Sequence, residues 1–154
     1  MTQAAPMNVP FFRPSVTEED IAAVAACLRS GWLTTGPRVR DFETRFAAYV
    51  GARHAVAVAS CTAALHLALE AVGVGRGDLV LVPTLTFAAT AEVVRYFDAV
   101  PVFVDSEPDT LCMDPTRAAE TVDAIRRGLP VAGLAPPHGR VAAIVPVHYG
   151  GQMA

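Results

Sequence analysis

From His54 onward the chain repeats one rhythm: an unbroken apolar run, a short turn, then a helix-length segment with apolar residues along one side. The apolar runs are His54–Ala59, Leu79–Val82, Val100–Val104 and Val141–Val147. The segments between them that read as helices are Thr62–Val72, Thr86–Phe97 and Pro115–Arg127, the last with Asp114 as its cap. Strands of this composition have no side fit for water. They predict an α/β fold, a mostly parallel sheet covered by helices on both faces. Pro101 restricts which neighbour can hydrogen-bond to its strand.

Ahead of this rhythm the chain reads differently. Residues 1–14 carry three prolines and no period, which predicts an extended arm. Ser15-Val16-Thr17-Glu18 matches a capping box that opens a helix with Ile21, Val24, Ala25 and Leu28 on its apolar face, closed by Gly31. After the loop GWLTTGP, Pro37 suits the first turn of a second helix. Its apolar positions are Val39, Phe42, Phe46 and Tyr49, and Gly51 stops it. Gly31 and Gly36 flank Trp32, so this loop either closes over a ligand or packs the indole.

Ligands of open parallel sheets bind beyond the carboxyl ends of the strands. Those ends here are Ser60-Cys61-Thr62, Pro83-Thr84-Leu85-Thr86-Phe87, Asp105-Ser106 and His148-Tyr149-Gly150-Gly151. The first lies where a strand gives way to a helix. A helix start presents unpaired N–H groups and a partial positive charge, so the small side chains of Ser60, Cys61 and Thr62 fit a phosphate cup. Two other readings of that stretch stay open at this point: Ser60 or Thr62 as a plain helix cap, and Cys61 as a nucleophile assisted by His148. Phe87 is either a stacking surface for a flat ligand or a core ring.

The 154 residues are 53% hydrophobic with a formal charge of −3, and the mean hydropathy is +0.38. That is enough apolar material for a real core, and the balance gives no electrostatic reason to expect nucleic acid or an anionic membrane as partner. No apolar run is long enough to span a bilayer and the first residues do not form a signal peptide, so a cytoplasmic protein is expected. Cys27, Cys61 and Cys112 form no CxxC pair and the histidines show no metal spacing, so neither a disulfide framework nor a metal site is expected. All 12 basic residues are arginine; the chain has no lysine.

Four segments carry a resemblance. They are SGWLTTGPRVRDFETRFAAYVGARHAVAVASCTAALHLAL, GVGRGDLVLVPTLTFAATAEVV, VPVFVDSEPDTLCMDP and AAIVPVHYGGQ. Together they resemble the DegT/DnrJ/StrS family of pyridoxal-phosphate-dependent aminotransferases, which act on keto sugars attached to nucleotides. The resemblance covers nearly the whole chain from Pro10. It implies the N-terminal part of the large domain of a type I, aspartate aminotransferase-like enzyme, with residues 15–154 an incomplete domain that stops before the family's active-site Asp and Lys. It also implies that Cys61 and Thr62 hold the phosphate of pyridoxal 5'-phosphate and that Phe87 stacks on its ring. A nucleotide-linked keto sugar, an amino donor such as glutamate, and a homodimer are the implied partners of the parent enzyme.

The departures from the family are Cys61 and Asp98 where Gly is common, Glu92 in place of a common Asn, and a longer link over 129–140. Arginine cannot substitute for the missing lysine, because a guanidinium stays protonated and does not form the covalent linkage that transamination requires. The 154 residues alone are therefore expected to be inactive, with no catalytic residue among them. A noncatalytic phosphate- or nucleotide-binding module, a gene remnant and a sugar dehydratase of the same family are the competing readings.

Overall fold

The computed structural model describes residues 10, 12–134, 136 and 139–154. Most of the expected arm, together with Ala135, Pro137 and His138, lies outside them. The described chain divides into two compact units, residues 1–57 and 58–154.

The first unit holds helices α1 (Glu18–Arg29) and α2 (Pro37–Val50). The capping box of α1 forms two residues later than the Ser15–Glu18 pattern predicts. Thr17 Oγ1 accepts from the Asp20 N–H at 3.2 Å while Asp20 Oδ2 accepts from the Thr17 N–H at 2.8 Å. This register puts Glu18, Glu19 and Asp20 in the first turn, where the helix dipole favours negative charge. Helix α2 starts at Pro37 and ends at Gly51, whose φ of 69° is left-handed. In the loop between them Trp32 Nε1 donates to the Thr35 carbonyl at 3.1 Å. The indole lies where a Cβ on Gly36 would stand, so this loop packs its tryptophan against its own backbone while 56% of the residue stays exposed.

The expected strand over His54–Ala59 does not form: these residues pair with no strand among those described. The Ala57 N–H instead donates to Glu43 Oε1 of α2 at 2.9 Å, and Val56 is 79% exposed. A strand is defined by its neighbour, and the described residues hold none for this run.

The second unit contains α3 (Cys61–Ala71), β1 (Leu79–Pro83), α4 (Ala89–Arg95), β2 (Val100–Val104), α5 (Pro115–Arg126) and β3 (Val141–Ile144), then a short 3-10 turn at Tyr149–Gly151. The three strands are parallel in the order β2-β1-β3. All five residues of the central β1 are buried, because its alternate side chains serve two cores. Val80 and Val82 pack with Leu69 of α3 and with Val93 and Val94 of α4. Leu79 and Leu81 pack on the opposite face with Val102, Val104 and, from α5, Ala118 and Ile125. Helices thus cover both faces of a parallel sheet, as expected.

Two elements are shorter than their patterns. β3 stops at Ile144 rather than Val147: the Val145 N–H still bonds the Leu81 carbonyl at 2.9 Å, but the next β1 residue facing β3 is Pro83, which has no N–H to extend the ladder. Helix α4 spans Ala89–Arg95 rather than Thr86–Phe97. Residues 84–88 instead form a turn at the carboxyl end of β1, and Asp98, at φ 53°, turns the chain left-handed after the helix.

At the opposite end of the sheet, Arg140 places its guanidinium fork on Asp78, with Nε to Oδ1 at 3.2 Å and Nη2 to Oδ2 at 2.7 Å. Asp78 Oδ2 also accepts from the Gly75 N–H at 3.0 Å. The Arg140 hydrogen bonds, followed by that of Gly75, hold the Asp78 carboxyl below its ordinary value of 3.8.

Candidate functional site

Helix α3 begins with Ser60 as its N-cap in extended conformation, φ −158° and ψ 161°. Its hydroxyl accepts from the Ala63 N–H at 3.1 Å, and its carbonyl accepts from the Ala64 N–H at 3.1 Å. Ser60 is therefore a helix cap. The N–H groups of Cys61 and Thr62 in the same turn make no hydrogen bond among the described residues. Cys61 is exposed and Thr62 half-buried. The turn thus combines a satisfied cap with two free donors at the positive end of an 11-residue helix, which is what an anion requires.

The turn after β1 is built by hydroxyls. The Thr84 N–H donates to the Val104 carbonyl at 2.9 Å, continuing the β1–β2 ladder by one bond. Thr86 Oγ1 and Thr90 Oγ1 share a hydrogen bond at 2.7 Å, and the Thr90 N–H closes on the Phe87 carbonyl at 3.0 Å. Phe87 rides on this turn with 81% of its surface exposed, so its ring is not buried among the described residues. Helix α3 and the helix that follows this turn, α4, pack together over β1.

The chain leaves β1 through α4 on one face and leaves β2 through α5 on the other. The crevice beyond the carboxyl ends of β1 and β2 is thus a topological switch point, the place where open parallel sheets hold ligands. Thr84 and Asp105 meet across it, Thr84 Oγ1 donating to Asp105 Oδ1 at 3.3 Å.

His148 is not joined to Cys61. Its Nδ1 accepts from the Ala154 N–H at 2.9 Å, and no hydrogen bond links the two side chains among the described residues. The nucleophile reading of Cys61 therefore has no assisting base. His66, at mid-helix in α3, stacks edge-on against Tyr96 at 5.3 Å and Phe97 at 5.1 Å, a packing role. Among the described residues no cluster of His, Cys, Asp or Glu is placed to hold a metal ion, and no helix is long and apolar enough to cross a membrane.

Sequence reasoning missed two long-range hydrogen bonds between side chains, Arg140 to Asp78 and Thr84 to Asp105. They join residues 62 and 21 positions apart, and no local pattern signals either.

Residues 14–154 match the model of the DegT/DnrJ/EryC1/StrS aminotransferase family. The chain is 45% identical over 152 residues to the spore coat polysaccharide biosynthesis protein SpsC of Bacillus subtilis, covering 99% of this chain and 35% of that protein. Among solved structures, a DegT DnrJ EryC1 StrS aminotransferase from Brucella abortus is similar with TM-score 0.77 and 36% identity, over 87% of this chain and 34% of that one. Spr1654 from Streptococcus pneumoniae, in its PLP-form, is similar with TM-score 0.68 and 41% identity, over 74% of this chain and 29% of that one. The chain thus spans about a third of the length of the relatives it matches.

Proposed function

The chain belongs to the DegT/DnrJ/EryC1/StrS aminotransferase family, and from that membership we propose that residues 15–154 form the N-terminal part of the cofactor-binding large domain of a sugar aminotransferase. In this reading the cofactor is pyridoxal 5'-phosphate, and the parent enzyme moves an amino group, commonly from glutamate, onto a nucleotide-linked keto sugar. The parent is a cytoplasmic homodimer.

The residues present suit that cofactor. The observation that carries the reading is the first turn of α3, where Ser60 caps the helix and leaves the Cys61 and Thr62 donors open. A phosphate dianion there gains both N–H groups and the positive end of the helix dipole, with the Thr62 hydroxyl as a further donor. Cys61, in place of a common Gly, leaves this use of the backbone intact, since an N–H group serves an anion whatever side chain it carries. Phe87 offers the exposed flat surface that a pyridine ring needs, carried on the turn that leads into α4, the helix packed beside α3.

When bound, the cofactor supplies an electron sink for the carbon that loses its proton during amino transfer. What this chain does is narrower. Its backbone donors fix the phosphate, and its aromatic ring orients the plane on which the chemistry depends. None of the 154 residues is lysine, so the amine of the covalent step is not supplied by them.

The test uses the full-length protein that contains these residues. Purified with pyridoxal phosphate and glutamate, it is assayed against a panel of nucleotide-linked keto-deoxy sugars. Formation of an amino sugar with release of 2-oxoglutarate is expected. Turnover of no member of the panel, with any amino donor, would refute the reading. The 154 residues expressed alone are expected to give no turnover in the same assay.

A further inference from the structure

Phe87 can stack on a ring only if its turn is held still, and an exposed aromatic at the tip of a five-residue turn has little packing to hold it. The far side of the turn is tied by the Thr86–Thr90 hydroxyl pair. Its near side is tied to β2. The Thr84 N–H takes the Val104 carbonyl, and one residue on, the Thr84 hydroxyl takes Asp105 Oδ1.

Asp105 is itself fixed from three directions. Its Oδ1 also accepts from the Ser106 N–H at 3.0 Å. Its carbonyl accepts from the Asp114 N–H at 2.9 Å, and Ser106 forms an antiparallel bridge with Met113. The backbone of Asp105 is thus anchored just past the end of β2, and its exposed carboxylate, held by the Ser106 N–H, reaches across the switch-point crevice to the turn after β1.

We propose that Asp105 is the positioning residue of the Phe87 turn: through Thr84 it holds the aromatic ring at the cofactor plane, and it does so without touching the cofactor phosphate. The proposal rests on the cofactor site described above. It separates two parts of that site, a phosphate grip made by α3 alone and a ring platform whose rigidity depends on Asp105.

The experiment compares the chain with Asp105→Ala, Asp105→Asn and Thr84→Val, each first shown to be folded by circular dichroism. The first readout needs no ligand. Backbone 15N order parameters over residues 84–88 should fall from about 0.8 in the unaltered chain to roughly 0.6 or below in Asp105→Ala and Thr84→Val. Asp105→Asn, whose side-chain oxygen still accepts from Thr84 and Ser106, should retain them.

The second readout is binding. The dissociation constant for pyridoxal phosphate should rise about threefold or more in Asp105→Ala and Thr84→Val, while that for inorganic phosphate stays within about twofold. The absence of lysine removes the side-chain amines that otherwise bind the aldehyde nonspecifically.

Unchanged order parameters in both Asp105→Ala and Thr84→Val overturn the proposal whatever the ligands do. So does equal loss of both ligands, which marks general damage, and so does unchanged pyridoxal phosphate affinity. If the unaltered chain binds neither ligand, it is the cofactor site that fails, and the order parameters alone then show whether Asp105 holds the turn.

Discussion

Replacing Asp78 with alanine removes the lock at the amino end of the sheet, and its cost can be worked from the contacts. Three are lost: the fork of Arg140 at 3.2 and 2.7 Å and the Gly75 N–H at 3.0 Å. The Asp78 side chain is 14% exposed but that of Arg140 is 65% exposed, so water screens the guanidinium and the fork counts for little more than a surface pair. The hydrogen bond from Gly75 to a largely buried carboxylate adds to it. Together they give a loss on the order of 1–2 kcal/mol at pH 7.

The sign with pH follows from the carboxyl being held below its ordinary value of 3.8 in the folded chain. A depressed folded pKa means that the stabilisation is fully present above the unfolded value. It is lost as pH falls below about 4 and through the folded pKa. Urea titrations followed by circular dichroism should place the midpoint of Asp78→Ala roughly 0.5–1 M below that of the unaltered chain at pH 7, and the gap should narrow towards pH 3. A gap that is absent at pH 7, or that stays constant with pH, would refute the electrostatic account of this contact.

Leu81→Ala should cost about 2–5 kcal/mol, measured by the same urea titration, because Leu81 is wholly buried in the core between β1 and α5. Gly139→Ala should prevent the native link between α5 and β3 from closing, since its Cβ would stand on the Gly77 carbonyl; a sharp drop in melting temperature is the expected reading. Phe87→Ala should change stability by no more than about 0.5 kcal/mol, as its ring is exposed, yet weaken pyridoxal phosphate binding. A large stability loss at Phe87 would mean that the ring has a packing role instead.

How far the amino-acid order reveals this arrangement depends on the distance over which each signal acts. Local signals were legible: Asp114 caps α5 through two N–H groups, Pro37 opens α2, Gly51 closes it, and Val100–Val104 forms the strand its pattern predicts. Two local patterns overlap at the start of α1: the capping box read at Ser15–Glu18 does not form, and Thr17 with Asp20 caps the helix two residues later.

The run His54–Ala59 has strand composition, but composition does not supply a partner strand, and without one the run stays an unpaired extended segment tied to Glu43. At the candidate site, the helix start at Ser60-Cys61-Thr62 was readable because a cap and a helix are both local. The exposure of Phe87 and the reach of Asp105 to Thr84 depend on how strands far apart in the chain line up, which no local period encodes.

The account stands or falls on the first turn of α3. The direct measurement is an amide NMR titration of the chain with pyridoxal phosphate, following every backbone N–H. The account predicts that the Cys61 and Thr62 amides move furthest and saturate together, with Phe87 ring resonances shifting at the same concentrations. Saturable binding that leaves the Cys61 and Thr62 amides unmoved would contradict it.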